Sequence, residues 1–233
     1  MSFPVRAITL DLDDTLWPFA PIGARVEQVL DLWLREHSPC TAAMFPVPAM
    51  RALREEVFAG HPHLAHDLSQ LRRMTLQRAL ERSGGNLALL EAAYEAFYAA
   101  RNEIHEYYPD SLDALARIAA RVPVAALSNG NADLGRIGLM HHFAFSLGSR
   151  EHGAAKPEAS IFHAACARLN VTHGEVLHVG DHVDLDVAGA ALAGLRSCWI
   201  NREGRRWARE DLQPDLEFTT LEALADWLEA QPA

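Results

Sequence analysis

The stretch AITLDLDDT at residues 7–15 is an apolar run that ends in a group of acidic residues. The run from Val5 to Leu10 is short and apolar, which predicts a buried strand near the N-terminus. Asp11 and Asp13 follow where that strand ends, and side chains two residues apart in an extended segment point to the same side. Two like charges that lie so close require a cation or a shared proton. Because carboxylates offer only oxygen ligands, the simplest cation is Mg²⁺.

Composition excludes several classes of function. The chain has 233 residues, a formal net charge of −10 and no segment dense in Lys and Arg, so we expect no binding to nucleic acid. No apolar run approaches the ~20 residues that a membrane helix needs, and no secretory signal is recognisable, so we expect no membrane association. Cys40, Cys166 and Cys198 are widely spaced, which favours buried thiols in a reducing cytoplasm. The sequence is compatible with a monomer or a homodimer.

The order of the patterns predicts an α/β core interrupted by a helical insert. Helical spacing of apolar residues recurs four times without an intervening strand, over roughly 22–36, 48–59, 65–82 and 87–101. After Tyr108, helices alternate with five further short apolar runs that read as strands, at 123–127, 143–147, 176–179, 196–200 and 217–219. This alternation predicts a doubly wound parallel sheet, in which ligands gather beyond the carboxyl ends of the strands.

Capping residues predict where three of the core helices begin. Asp110 is expected to cap a helix over 111–120, and Pro157 is expected in the first turn of a helix over 157–169. Thr219 and Glu222 have the spacing of a capping box, which predicts the start of the last helix.

Three further groups of residues follow predicted strands and can serve the same site. Ser128, Asn129 and Gly130 can offer a hydroxyl and backbone N–H groups to a phosphate. Lys156 precedes a predicted helix, where a cation is unfavourable unless an anion is near. Gly180 and Asp181, with Asp186 beyond them, bring more carboxylates. Each group alone is common in loops, but together and in this order they predict one site.

With these motifs the chain resembles the haloacid dehalogenase superfamily, in its phosphatase branch. The resemblance rests on residues 11–15, Ser128, Lys156, and Gly180-Asp181 with Asp186. The helical insert is similar to the C1-type cap of that family. The resemblance therefore implies a Rossmann-like hydrolase core at 1–17 and 105–233, with an all-helical cap domain at 18–104. Dehalogenases of the family lack a carboxylate at the position of Asp13, so the chain sides with the phosphatases.

The reaction implied by the resemblance is the hydrolysis of a phosphomonoester of a small metabolite. Asp11 would be the nucleophile that forms an aspartyl-phosphate, and Asp13 would act as general acid and then general base. Lys156 would neutralise charge during catalysis. Asp14 is expected to have only a structural role.

The same resemblance implies which groups hold the metal and the phosphoryl group. Mg²⁺ would be bound by Asp11, the main-chain carbonyl of Asp13, and Asp181. The phosphoryl oxygens would be bound by the Ser128 hydroxyl, the Asn129 N–H and Lys156. Asp186 would orient Lys156 or a metal-bound water.

A narrower resemblance concerns the substrate. Residues 128–132, 177–181 and 198–200, with 61–80 in the insert, are similar to bacterial phosphatases that act on flavin mononucleotide and on 5-amino-6-(5-phospho-D-ribitylamino)uracil. Two alternatives stay open, a sugar-phosphate mutase of the same superfamily and a non-enzymatic phospho-acceptor or binding module. The insert also carries a polar cluster whose role the sequence leaves open, comprising His61, His63, His66, Asp67, Arg72 and Arg73.

Overall fold

The structure is a computed structural model that describes residues 3–231. It divides into two units, a sheet unit formed by Met1–Pro18 with Glu106–Ala233 and a helical unit formed by Phe19–His105. Each division lies one residue beyond the corresponding domain boundary predicted from the sequence. That the two units serve as a hydrolase core and a cap stays a prediction.

The described part of the sheet unit is built on one parallel sheet in the order β3-β2-β1-β4-β5-β6. β1, β2 and β4 are buried along their whole length, which explains why these segments read as continuous apolar runs. The predicted α/β fold with a doubly wound parallel sheet is confirmed. The strands are β1 Ala7–Leu10, β2 Val124–Ser128, β3 Phe145–Gly148, β4 Val176–Gly180, β5 Arg196–Ile200 and β6 Leu216–Phe218.

The strand order reverses at β1, which pairs with β2 on one side and with β4 on the other. Ile8 lies in register with Val124 of β2 and with Leu177 of β4. Because all three strands run in the same direction, the residues that follow them meet at one edge of the sheet. A reversal of strand order leaves a crevice at this edge, where ligands bind in folds of this type.

The helical unit contains the four helices that the sequence predicts and a short one, α2, that it does not. α1 buries Ile22, Val26, Leu30 and Leu34, which recur at helical spacing. The helices are α1 Phe19–His37, α2 Pro39–Met44, α3 Val47–Gly60, α4 Leu68–Ser83 and α5 Leu90–Arg101, with 3₁₀ turns at Pro62–Leu64 and Leu87–Leu89.

Helices and turns connect the strands of the sheet unit. The segment after β2 forms only one short helix, Leu134–Ile137, because Gly138 in the left-handed conformation (φ 87°) ends it. The α-helices are α6 Ser111–Arg121, α7 Leu134–Ile137, α8 Ser149–His152, α9 Ala159–Leu169, α10 Gly189–Leu192 and α11 Leu221–Glu229. The other helical segments are a π-helical turn at Val183–Ala188 and 3₁₀ turns at Met140–His142 and His173–Glu175.

Two of the predicted helix starts are wrong, and the third, at Ser111, is correct but lacks the predicted capping hydrogen bond. The hydroxyl of Thr220, not Thr219, accepts a hydrogen bond from the Ala223 N–H and caps α11. Pro157 precedes α9, which begins at Ala159. Asp110 stands at the N-cap position of α6, but its side chain makes no capping hydrogen bond there.

The Asp110 carboxylate instead joins distant parts of the sheet unit. It pairs with the Arg202 guanidinium at 2.9 Å and accepts a hydrogen bond from the Leu221 N–H at 2.7 Å. Arg202 also donates to the Thr15 carbonyl at 2.8 Å and lies over the Tyr108 ring, 3.8 Å from its centroid. A tertiary ion pair has therefore replaced the local cap that the sequence predicts.

The cysteines follow the expectation only in part. Cys166 and Cys198 are buried as free thiols, whereas Cys40 is exposed. Among the described residues, no helix combines the length and the apolar character needed to span a membrane.

Neighbouring arginines of α4 have opposite environments within the helical unit. Arg72 lies over the Phe97 ring, 4.4 Å from its centroid, and lines a cavity of about 20 Å³ together with Glu27 and Arg54. No residue of the described chain forms a hydrogen bond or ion pair with it, and burial, reinforced by the Arg54 charge, lowers the pKa of Arg72 to about 10. Arg73, by contrast, pairs with Glu91 at 3.1 Å.

Replacement of Arg72 by Met is therefore expected to increase the free energy of unfolding by about 1 kcal/mol, because it removes a poorly solvated charge that forms no ion pair. Arg73→Met is the matched control and is expected to leave stability unchanged or lower it, since that arginine is paired. Urea denaturation at pH 7 measures both variants. If Arg72→Met were no more stable than the wild type, this interpretation would be contradicted.

Candidate active site

A buried lysine joins two carboxylates at the carboxyl edge of the sheet. The Lys156 Nζ donates hydrogen bonds to Asp11 Oδ1 and Asp186 Oδ1, both at 2.6 Å, and Lys156 is only 3% exposed. Asp11 directly follows β1, and Asp186 lies in the π-helical turn after β4. Residues 145 positions apart in the chain thus form one buried ion pair. Buried charges persist only when they are paired in this way.

Negative charge exceeds positive charge at this edge. Asp11, Asp181 and Asp186 each offer a carboxylate oxygen within 4.8 Å of the others. Burial raises the pKa of Asp11 well above its usual value, although Lys156 opposes the rise. Burial and the neighbouring Asp186 and Asp14 charges raise the pKa of Asp181 to about 7. For Asp186 burial also acts upward, but Lys156 and His178 outweigh it and the pKa is lowered.

The donor set fits a hard divalent cation. The three carboxylates offer only oxygen ligands, and burial together with neighbouring carboxylates raises the pKa of both Asp11 and Asp181. Asp186 is already engaged, because Oδ1 accepts from Lys156 and from His178 Nε2 at 3.1 Å, and Oδ2 accepts from the His182 N–H at 2.9 Å. Asp11 and Asp181 are thus the carboxylates that could hold a metal.

The position of Asp186 depends on Gly180. A Cβ atom added to Gly180 would overlap the Asp186 side chain. Any other residue at this position would therefore push Asp186 away from Lys156. The requirement for glycine is steric here and does not arise from a left-handed backbone.

The structure places the carboxylate of Asp13 outside the three-carboxylate group. Asp13 Oδ1 accepts a hydrogen bond from the Trp17 indole at 2.7 Å, and Trp17 is fully buried. Asp14 adopts a left-handed conformation (φ 59°) and its N–H donates to the Trp17 carbonyl at 2.7 Å. The chain therefore turns immediately after Asp13, and Asp11 meets Asp181 and Asp186 instead.

The residues after β2 anchor the lysine. The Asn129 side chain donates to the Lys156 carbonyl at 2.8 Å and accepts from the Lys156 N–H at 2.7 Å. The Ser128 hydroxyl is buried and accepts from the Gly130 N–H at 2.9 Å. The sequence pointed to the Asn129 main chain as a phosphate ligand, but it gave no signal that the side chain would hold Lys156.

Asp181 is held by residues that the sequence did not connect with it. Trp199 of β5 lies in register with Gly180 of β4, and its indole N–H donates a hydrogen bond to the Asp181 carbonyl at 2.8 Å. The Thr15 hydroxyl lies 3.5 Å from Asp181 Oδ1, at the outer limit of a hydrogen bond. The indole N–H of a tryptophan in a predicted buried strand needs an acceptor, and this is the sequence signal that could have found Trp199.

The chain is similar to known proteins over most of its length. Residues 5–194 match the family model described as "Hydrolase: haloacid dehalogenase-like hydrolase". The chain is 32% identical over 228 residues, 94% of each chain, to 5-amino-6-(5-phospho-D-ribitylamino)uracil phosphatase YigB of Escherichia coli (strain K12). It is 31% identical to the phosphoserine phosphatase of Thermus thermophilus, covering 93% of this chain and 96% of that one.

A solved structure with high similarity carries a different functional name. The 2-haloacid dehalogenase from Pseudomonas syringae pv. Tomato DC3000 has a TM-score of 0.89 and 34% identity to this chain. The match covers 97% of this chain and 98% of that one. Phosphatases and a protein described as a dehalogenase are thus both similar to the chain over nearly its full length.

The raised pKa of Asp181 predicts how metal-free stability depends on pH. Because the pKa of about 7 in the folded protein exceeds the value of about 3.9 in the unfolded chain, the folded state binds more protons, and stability is lost as the pH rises toward and through about 7. The Asp181→Asn variant has no carboxyl group at this position and therefore does not lose stability in this way as the pH rises. Its stability relative to wild type should therefore grow between about pH 5 and pH 8, by on the order of 1–3 kcal/mol.

Urea denaturation in the presence of a chelator, repeated across this pH range, measures the difference. Glu210→Gln, at an exposed loop position, serves as the control and should show no such trend. A difference between Asp181→Asn and wild type that does not change with pH would contradict the expectation.

Proposed function

The chain belongs to the haloacid dehalogenase-like hydrolases, and on that premise we propose that it is a Mg²⁺-dependent hydrolase of small phosphomonoesters. The family predicted from the motifs is thereby confirmed. The observation that carries the proposal is the buried Lys156 between Asp11 and Asp186, with Asp181 beside them. This arrangement combines a carboxylate nucleophile, a fixed cation and further oxygen ligands at one edge of the sheet.

In the first step, a carboxylate oxygen of Asp11 attacks the phosphorus atom of the substrate. The bond between this oxygen and phosphorus forms while the bond between phosphorus and the leaving oxygen breaks, which produces an aspartyl-phosphate. Asp13 gives a proton to the leaving oxygen, so that an alcohol departs. Lys156 is held close enough to Asp11 to offset the negative charge of the approaching phosphoryl group.

In the second step, Asp13 removes a proton from a water molecule that attacks the phosphorus atom. The bond to Asp11 breaks, inorganic phosphate leaves, and both aspartates return to their starting states. We assign the binding of phosphoryl oxygens to the Ser128 hydroxyl, the Asn129 N–H and Lys156.

We assign the metal to Asp11, Asp181 and the main-chain carbonyl of Asp13. When bound, Mg²⁺ supplies the positive charge that lets a carboxylate approach a phosphate dianion. Asp186 is left as the residue that orients Lys156, since both of its oxygens already accept hydrogen bonds.

Similarity alone does not separate phosphatase from dehalogenase activity, because relatives with both names match the chain. Asp13 supports the phosphatase assignment, because a dehalogenase has no leaving alcohol that needs a proton. The competing activity is release of halide from a 2-haloacid. A mutase would transfer the phosphoryl group to an acceptor, and a non-enzymatic phospho-acceptor would not turn over.

We further propose that the substrate is a flavin-type or sugar-type phosphate and that the enzyme works in the cytoplasm. The name of the YigB relative supports the substrate class, and the free buried thiols of Cys166 and Cys198 support the compartment.

The Asp11→Asn variant is expected to lose essentially all Mg²⁺-dependent release of phosphate from p-nitrophenyl phosphate, by on the order of 10³-fold or more, because an amide is not a nucleophile here. Asp14→Asn is the matched control, since asparagine tolerates the left-handed conformation of this position, and it should stay active. Chelation of the metal should abolish wild-type activity. Turnover by Asp11→Asn at the wild-type rate would overturn the proposal.

A panel of phosphate esters tests the substrate. We expect kcat/KM for flavin mononucleotide or 5-amino-6-(5-phospho-D-ribitylamino)uracil to exceed that for other phosphates by about tenfold or more, and we expect no halide release from 2-chloropropanoate. Halide release without phosphate release would identify a dehalogenase. Phosphate release with no preference for either compound would contradict only the substrate assignment.

A further inference from the structure

Two polar side chains meet in the otherwise apolar centre of the sheet. Thr9 of β1 and His178 of β4 lie in register, and both are essentially inaccessible to solvent, at 0% and 1% exposure. The Thr9 Oγ1 lies 2.9 Å from the His178 Nδ1. A buried polar pair lowers stability relative to apolar residues unless its hydrogen bonds are satisfied. The partners of both side chains therefore matter for the role of this pair.

The partner of the other ring nitrogen determines the tautomer of the imidazole. His178 Nε2 lies 3.1 Å from Asp186 Oδ1, and an ionised carboxylate can only accept a hydrogen bond. Burial lowers the pKa of His178 and so keeps the ring neutral, although Asp186 opposes this effect. The single ring proton then belongs on Nε2, and Nδ1 accepts from the Thr9 hydroxyl.

The imidazole thus holds the oxygen that also receives the lysine. Asp186 Oδ1 accepts from both His178 Nε2 and Lys156 Nζ. The Phe162 ring packs edge-on against the imidazole, with centroids 5.0 Å apart and planes at 88°, which restricts rotation of the histidine. A chain of hydrogen bonds therefore runs from Thr9 through His178 and Asp186 to Lys156.

We propose that His178 is a positioning residue for the hydrolysis, which holds Asp186, and through it the Lys156 ammonium, in place against Asp11. This inference rests on the proposed function. The Thr9 hydroxyl completes the arrangement by holding the imidazole in the tautomer that donates to Asp186. Neither Thr9 nor His178 touches the substrate.

The pair His178→Gln and His178→Met separates positioning from packing. Both side chains have similar size, but only glutamine can carry an N–H donor to Asp186. We expect kcat/KM for p-nitrophenyl phosphate to fall about 10–100-fold in His178→Met and to stay within about fivefold of wild type in His178→Gln. Urea denaturation is measured in parallel and should show similar losses of stability in the two variants.

Inhibition by orthovanadate supplies a measurement that loss of packing alone would not change. Orthovanadate resembles the five-coordinate phosphorus of the transition state, so its inhibition constant should rise in His178→Met by the same factor by which kcat/KM falls. Equal losses of activity in the two variants, or wild-type activity in His178→Met, would overturn the inference.

Substitutions of Thr9 provide a second test, which is needed if the His178 variants do not fold. Thr9→Val keeps the shape but removes the hydroxyl, and should lower kcat about threefold or more, whereas Thr9→Ser should not. Equal activity in Thr9→Val and Thr9→Ser would overturn the role of the hydroxyl. A wild-type enzyme without phosphatase activity would overturn the proposed function and this inference together, whereas an active wild type with unaffected His178→Met overturns only the inference.

Discussion

The site depends on one buried ammonium group that is shared by two carboxylates. Lys156 bridges Asp11 and Asp186, and removal of the lysine would leave two buried carboxylates without a compensating cation. Several other features of the sheet unit serve this bridge. Asn129 holds the main chain of the lysine, Gly180 leaves room for Asp186, and the central strands bring the ends of the network together. A bridge of this kind adds little net stability, so its value lies in fixing geometry.

Whether a feature of the fold or the site could be predicted from the sequence depends on how far apart in the chain the interacting residues lie. Apolar runs that alternate with helical patterns are local signals, and they were enough to predict the α/β sheet and the edge at which Asp11, Lys156 and Asp181 meet. The side-chain pairing of Asn129 with the Lys156 backbone was not predictable, because it joins loops far apart in the sequence. Asp110 was misread for the same reason, since its carboxylate prefers a distant arginine to the helix that it precedes. Thr219 and Thr220 are adjacent, and the local sequence alone does not decide which of these two threonines caps helix α11.

The similarity to proteins with two different functional names shows that this fold does not determine the reaction. A core that holds a nucleophilic aspartate beside a lysine can attack either carbon or phosphorus, and the surrounding groups decide between them. In this chain a second carboxylate, Asp13, lies two residues beyond Asp11 and accepts a hydrogen bond from the buried Trp17 indole. Under the proposed function, the residue that protonates the leaving group therefore lies in the turn after β1 and not in the sheet.

The ion pair between Arg202 and Asp110 has a consequence for how the chain can be shortened or altered. Arg202 binds the carbonyl of Thr15, at the end of the acidic stretch, while Asp110 binds the first N–H of α11. Three polar contacts therefore connect helix α11 with the loop that carries Asp13. We therefore expect that a chain ending before Leu221 would lose a contact of the Asp110–Arg202 ion pair, which in turn binds the turn after β1.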